Sequence, residues 1–178
     1  MKKLITMVCA VALAGIAQAA TVSWSMAGGS ACAGSAYDMF VIGQNGVTSV
    51  DQITALIDAG TSVSTYAFGT GNANASGLVS VSAAASGKTL GEGTHTAFFV
   101  VFDNASIADA SKYLLVSSAA LTKVIGATTP SVAFAAGNQT SFAGTASNWK
   151  SFGAVPEPTS GLLLLLGMAG LALKRKVA

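Results

Sequence analysis

The sequence is poor in charged residues, since Asp, Glu, Lys and Arg make up 9% of its 178 positions, against about 25% in an ordinary soluble domain. Most of the basic residues lie at the two chain ends. Between those ends, four lysines stand against seven acidic residues, which leaves a net charge of −3. The whole chain has a net charge of +2 because of its basic ends. A mildly acidic body without a basic stripe argues against nucleic-acid binding.

Histidine and cysteine are scarce as well. His95 is the single histidine, which argues against a His-rich metal site and against a Ser-His-Asp triad. We expect His95 to be structural or solvated at the mouth of a strand. Cys9 falls within the N-terminal signal described below, so Cys32 is left alone and cannot form an internal disulfide. We interpret Cys32 as a small buried apolar residue, with pairing between molecules as the alternative.

No motif for metal binding or catalysis stands out. Asp103 and Asp109 flank a turn and offer oxygen ligands of the kind that calcium binds, but no EF-hand pattern surrounds them. We interpret both as turn-forming residues, and the sequence predicts no metal site, no cofactor and no catalytic residue. Asn-x-Ser/Thr triplets match the glycosylation acceptor pattern, which often arises by chance in such a composition; they begin at Asn74, Asn104 and Asn138.

The N-terminal stretch MKKLITMVCAVALAGIAQAA has the three parts of a secretory signal peptide. Lys2 and Lys3 form its positive segment, and an apolar segment spans residues 4–16. Ala17 and Ala19 form a small-x-small cleavage site, so we expect cleavage after Ala19. The alternative is a buried N-terminal helix.

Alternation of apolar and polar residues with period two marks the chain after this signal. In TVSWSM, Val22, Trp24 and Met26 share one face, as in a half-buried strand. Four further segments predict short strands in the same way: AYDMFVIG, SVSTYAFG, GLVSVSA and PSVAFAAG.

Residues 97–102 form a continuous apolar run, which is typical of a central strand covered on both faces. The segment KYLLVSS is its expected neighbour. We expect Phe98, Val100 and Phe102 to be buried. Phe99 and Val101 should be largely covered too.

The segment SVDQITALIDAG predicts the main helix. Ser49 supplies its N-cap and Gln52 stands at the third helical position, which together form a capping box. Gly60 supplies the C-terminal stop. A helix of about ten residues is marginal alone, so its apolar face must pack on the sheet; that face comprises Val50, Ile53, Leu56 and Ile57. The segment SIADAS predicts one further helical turn.

Turn-forming Gly, Asn and Ser separate these elements at the spacing of a β-sandwich rather than of alternating βαβ units. We therefore predict an all-β fold. Its antiparallel, sandwich-like body carries one short helix and is flanked by an N-terminal signal helix and a C-terminal transmembrane helix. The predicted domains are the signal peptide (1–19), a β-rich extracellular body (20–154) and a C-terminal tail (155–178).

The tail begins with a proline-rich triplet and continues as an apolar segment. Pro156 and Pro158 hold the backbone extended on either side of Glu157. A helix over residues 161–173 would be about 20 Å long, shorter than the roughly 30 Å hydrocarbon core. Its seven leucines nevertheless favour insertion by about 2 to 4 kcal/mol.

A basic cluster follows the apolar segment: Lys174, Arg175 and Lys176. These side chains can snorkel to the membrane interface. They should stay cytoplasmic and leave the body outside, in agreement with the cleaved signal. The alternative, a buried C-terminal core helix, explains neither the basic cluster nor the Pro-x-Pro start.

The stretch VPEPTSGLLLLLGMAGLALKRK closely resembles the PEP-CTERM sorting signal of Gram-negative bacteria, because the triplet, the apolar segment and the basic cluster occur in the same order. The resemblance is confined to residues 155–178. It implies that an exosortase, a membrane cysteine protease-transpeptidase, recognises the tail, so that this chain is a substrate. It also implies a bacterium that makes exopolysaccharide and biofilm matrix.

We expect a secreted, non-enzymatic protein of the cell surface or extracellular matrix, held transiently in the inner membrane and processed by an exosortase-type enzyme. The alternative is a surface-attached module that binds carbohydrate, such as exopolysaccharide. An exposed planar row of aromatic residues would favour that alternative, and their burial would favour a structural role; the candidates are Trp24, Tyr37, Tyr66, Tyr113 and Trp149. A secreted hydrolase, the third possibility, would need two carboxylates convergent in a pocket.

Overall fold

The computed structural model describes residues 19–152. They form a 4-stranded and a 6-stranded sheet, with few helices. The prediction of an all-β body is therefore confirmed. The expected signal helix and transmembrane helix lie outside the described residues.

The first sheet is built around its central strand, β1 (Ala20–Ala27). Strands β4 (Leu78–Val81) and β5 (Thr89–Leu90) pair antiparallel with one edge of β1, and β9 (Ser131–Asn138) pairs parallel with the other edge. The strands predicted in TVSWSM, GLVSVSA and PSVAFAAG are thus confirmed. The parallel pair of β1 and β9 departs from the predicted antiparallel body.

The second sheet contains the most deeply buried strands. Neighbouring strands in it all pair antiparallel, in the order β10 (Trp149–Ser151), β7 (Lys112–Val116), β6 (Gly93–Phe102), β2 (Ala36–Val41) and β3 (Gly69–Asn72). β8 (Thr122–Ile125) pairs with the first residues of β6. KYLLVSS is confirmed as the neighbour of the apolar run, and AYDMFVIG contains β2.

Apolar side chains cover the second sheet on both faces. Phe99 and Val101 point into the layer between the two sheets. Phe98, Val100 and Phe102 point into an outer layer that helix α1 (Val50–Asp58) covers. All five are at most 1% exposed, which confirms the burial predicted for this run.

Helix α1 begins and ends as its sequence predicts. Ser49 Oγ accepts a hydrogen bond from Gln52 N at 3.1 Å. Gln52 Oε1 accepts from Thr48 N at 2.7 Å, so the capping box closes one residue earlier than its usual form. Gly60 adopts φ 70° and donates to Ile57 O at 2.9 Å, as a C-terminal stop requires.

The strand predicted in SVSTYAFG is wrong. Residues 64–66 form a turn, and β3 begins only at Gly69. The turn closes on itself because Tyr66 N donates to Val63 O at 2.9 Å. Apolar residues recur in this segment for another reason. Val63, before the turn, packs in the outer layer, and Phe68, after the turn, packs in the layer between the sheets.

Short helical turns add to the one helix predicted. The segment SIADAS contains a 3-10 turn, Ile107–Asp109, as expected. Single-turn helices α2 (Ala83–Ser86) and α3 (Thr140–Ala143) were not evident from the sequence, because each spans 4 residues and has no amphipathic period.

Candidate functional site

Most of the predicted signal and sorting residues lie outside the described residues: Ala17, Pro156, Glu157, Pro158, Lys174, Arg175 and Lys176. Ala19 is exposed and immediately precedes β1. Between residues 19 and 152, no helix combines the length and the apolar character that a bilayer crossing requires. What the structure does describe is the place where the chain leaves the body toward the tail.

Strand β10 and Phe152 hold this exit point in place. β10 pairs antiparallel with β7, and Phe152 N donates to Ser111 O at 3.1 Å. The Phe152 ring stacks on Tyr113 at 5.9 Å between centroids and lies 6.2 Å from the Phe102 ring. The chain is therefore anchored by backbone and side chain up to its last described residue.

An open groove lies beside Phe152. Its volume is about 490 Å³. Its apolar walls come from α1, from the loop after α1, from β6 and from the 3-10 turn, and include Ile57, Val63, Phe102, Ile107 and Phe152. Hydroxyl groups of Thr61, Ser62 and Ser64 add polar atoms to the lining, and none of its lining residues is charged.

Asp103 stabilises the turn next to this exit. Its carboxylate accepts hydrogen bonds from Ser111 N at 2.8 Å, Ser111 Oγ at 2.7 Å and Lys112 N at 3.0 Å. Burial opposes its ionisation, but these bonds prevail and hold the pKa of Asp103 below its usual range. Asp103 is thus confirmed as a turn-forming residue.

Asp109 lies exposed in the neighbouring 3-10 turn. Within residues 19–152, no three His, Cys, Asp or Glu side chains lie together as metal ligands would.

Asp38 is a buried acid that sequence reasoning missed. It lies on β2 at 0% exposure, and Ser64 Oγ donates to its Oδ2 at 3.1 Å. Its Oδ1 has no hydrogen-bond partner in the described part of the chain. Burial raises the pKa of Asp38 to about 6, against the opposing effect of the Ser64 hydrogen bond. An acid inside the otherwise apolar AYDMFV was the signal that could have revealed it.

Three of the five aromatic candidates for carbohydrate stacking are core residues: Trp24, Tyr37 and Tyr113. Trp24 Nε1 donates to Tyr37 Oη at 3.4 Å. Tyr113 Oη donates to Asp58 Oδ1 at 3.1 Å, and burial together with this bond raises the pKa of Tyr113 to about 12. Tyr66 and Trp149 are half-buried. Residues 19–152 therefore present no exposed planar row of these aromatics.

A second cavity, of about 430 Å³, opens beside Trp24. Phe68 and Lys88 also line it, and Lys88 Nζ lies 5.9 Å from the centroid of the Phe68 ring. Thr70 and Ser86 contribute hydroxyl-bearing residues to its wall. The cavity thus places one cation beside two aromatic residues.

Cys32 and His95 occupy the positions expected of them. Cys32 is 0% exposed, and burial raises the pKa of its thiol, so it is a buried apolar residue. A Cβ added to Gly28 would come within 2.6 Å of Cys32 Cβ, which shows how tightly the thiol is packed. His95 is half-buried near the start of β6, with Nε2 3.0 Å from Gly91 O.

The three Asn-x-Ser/Thr triplets share one local structure. In each, the asparagine is exposed and its Oδ1 accepts from the backbone N–H two residues later, at distances of 2.9 to 3.0 Å. This is the turn that asparagine favours in loops. Asn74, Asn104 and Asn138 therefore have structural roles as turn residues.

Comparison with known proteins decides the nature of the tail. The family model of the PEP-CTERM protein-sorting motif matches residues 154–176. The chain carries a PEP-CTERM protein-sorting motif. The match includes the triplet and the apolar segment and ends on the last basic residue, Lys176, so the resemblance is confirmed. No curated protein and no solved structure matches the chain.

The PEP-CTERM motif has consequences for the export and processing of the chain. Such signals are recognised by an exosortase, which makes a processing enzyme of that type a partner of this chain. The motif implies export and a membrane-anchored precursor that is processed for the cell surface. It begins two positions after Phe152, directly beyond the exit point described above.

Proposed function

We propose that the chain is a non-enzymatic protein of the cell surface or extracellular matrix, delivered there through its PEP-CTERM tail. The observation that carries this proposal is the motif at residues 154–176, which follows a folded, mostly β body with only one residue between them. In this arrangement the body is the domain that is exported, and the tail is the signal that directs its sorting.

The use of ionisable groups in the body supports a structural role. Asp58 accepts from Tyr113, and Asp103 accepts from Ser111 and Lys112. Asp51 lies in the first turn of α1, where a negative charge stabilises the helix dipole. These carboxylates serve separate elements of the fold, whereas a hydrolase would bring two of them together in one pocket.

Each part of the tail has a different role in sorting. Pro156 and Pro158 favour an extended backbone, which a membrane-embedded enzyme can grip, and Glu157 marks that backbone with a single charge. The apolar segment 161–173 holds the precursor in the membrane. The basic cluster at its end stops the tail on the cytoplasmic side.

Replacing Glu157 by Ala tests the proposal. This change removes the charge of the triplet but leaves the apolar segment, so we expect an uncleaved precursor that stays in the membrane fraction. The measurement is fractionation with a C-terminal tag, in a cell that has the processing enzyme. Thr159→Ala, which lies just after the triplet, serves as the matched control and should be processed like the wild type. Normal processing of Glu157→Ala would show that the triplet is not a recognition element.

A second candidate is binding of an acidic exopolysaccharide in the cavity beside Trp24. Lys88 at the wall of that cavity would face the carboxylate of such a sugar, next to the hydroxyl-bearing residues Thr70 and Ser86. Binding of an acidic glycan by the purified body, lost in Lys88→Ala and kept in Lys123→Ala, would favour this function over a purely structural one.

A further inference from the structure

The groove beside Phe152 has the position and the chemistry to receive part of the tail. One of its walls is the ring of Phe152, and the chain passes from that residue directly into the linker Gly153-Ala154-Val155. The other walls are apolar or carry hydroxyl groups, with Ile57, Val63 and Ile107 among them. A volume of about 490 Å³ lies within the range of about 300–1,000 Å³ that protein ligand sites occupy.

We propose that this groove is the docking site of the chain's own linker, residues 153–155, with Val155 as the apolar anchor. Val155 follows Phe152 by three positions, so its Cα lies within about 11 Å of the Phe152 Cα. A group tethered this closely has an effective concentration in the millimolar range or above. Weak apolar contact therefore suffices to occupy the groove.

Charge sets the limit of this docking. The linker is uncharged, and so are all residues that line the groove. Glu157 is the first charged residue after the groove, and burying its carboxylate without a partner would be costly. The docked segment must therefore end before Glu157, which leaves the triplet at the surface of the body.

Docking has a consequence for sorting, which rests on the proposed function. With Val155 in the groove, Pro156 stands one residue from the body surface, and an enzyme that encloses the triplet must first displace the linker. The folded body thus withholds the triplet, and docking competes with processing.

Disulfide trapping tests the docking without any processing enzyme. The full-length chain, exported by a cell that lacks the enzyme and purified in detergent, carries Val155→Cys with either Ala108→Cys or Asp109→Cys. Ala108 lines the groove, and Asp109, the next residue, does not. A disulfide requires Cα atoms within about 7 Å, so we expect the first pair to form at least tenfold faster than the second. Equal rates in the two pairs, or no disulfide in either, would overturn the proposal.

A processing assay separates this inference from the proposed function. In a cell that has the enzyme, Ala108→Asp places a charge in the groove and leaves the motif at residues 154–176 intact. This change weakens docking and should raise the rate of processing several-fold. An unchanged or lower rate would contradict competition. If trapping fails while Glu157→Ala still blocks processing, the docking is wrong and the sorting role stands.

Discussion

Asp38 places a carboxyl group in the apolar layer beneath α1, where burial disfavours the charged form. Its one hydrogen bond, from Ser64, uses a single oxygen, and the other has no partner among residues 19–152. Asp58 reaches the same layer through its hydrogen bond from Tyr113. Asp58 is itself an acid, so it supplies no positive charge that would stabilise the carboxylate of Asp38. The protonated form is therefore the better fit at this position.

The stability of the body should fall as pH rises through the pKa of Asp38. Its pKa in the folded protein is about 6, above the ordinary value of 3.8. The stabilisation is then complete below about pH 4 and is lost as pH passes 6, an effect on the order of 3 kcal/mol. Asp38→Asn keeps a neutral polar group and should lack this pH dependence.

Urea unfolding of the body at pH 4, 6 and 8 measures the effect. Asp51→Asn, an exposed acid on α1, is the matched control and should follow the wild type. If Asp38→Asn loses stability between pH 4 and 8 as steeply as the wild type, another group is responsible.

Among the elements, β6 bears the largest share of the core, because both of its faces are covered. Phe98 is 0% exposed and stacks on Phe40 of the neighbouring strand β2 at 5.1 Å. Truncating it leaves a cavity between the second sheet and α1. The cost of such a cavity depends on how far α1 can collapse into it.

Phe98→Ala should lower the free energy of unfolding by about 3–5 kcal/mol, which approaches the whole stability of a typical domain. Val124→Ala, on β8, is the control, because Val124 is 75% exposed and the change should stay within about 0.5 kcal/mol. Thermal and urea unfolding compare the two. A loss below about 1 kcal/mol for Phe98→Ala would mean that the outer layer is loosely packed.

The elements that sequence could predict are those whose signal is local. The apolar run of β6 and the capped amphipathic stretch of α1 each specify one structure through their own residues. SVSTYAFG has the same alternation as a strand, but Val63 and Phe68 reach different layers across a turn, a difference that only tertiary packing decides. The parallel pairing of β1 with β9 was equally hidden, since it depends on how the intervening chain crosses the second sheet.

At the scale of the whole molecule, the sorting motif of the tail could be identified from the sequence and the groove could not. The PEP-CTERM motif is contiguous, so its residues identify it without any structure. The groove brings together residues 57–64, 102–110 and 152, and nothing in their separate sequences indicates that they meet. Buried Asp38 left one local signal, an acid inside the apolar AYDMFV, but its burial depends on α1 and the loop after it.

Anchoring of the precursor should depend on a small net free energy of inserting the apolar segment into the membrane. The seven leucines of the apolar segment favour insertion by about 2 to 4 kcal/mol. Replacing Leu164 and Leu165 by Asp costs about 5–7 kcal/mol on the same scale, so the double variant should leave the membrane fraction. Replacement of the same residues by Ile is the control and should remain anchored. Membrane retention of the Asp variant would show that something other than the apolar segment holds the precursor.

The position of β1 also governs when the chain can acquire its structure. β1 is the first strand of the body, yet its parallel partner β9 follows much later, and the bond from Thr21 to Pro130 spans 109 positions. Closing so long a loop is slow. Until the loop closes, the central strand β1 has no partner along one of its two edges. The first sheet can therefore be completed only after β9 has been synthesised, when nearly all of the body is present.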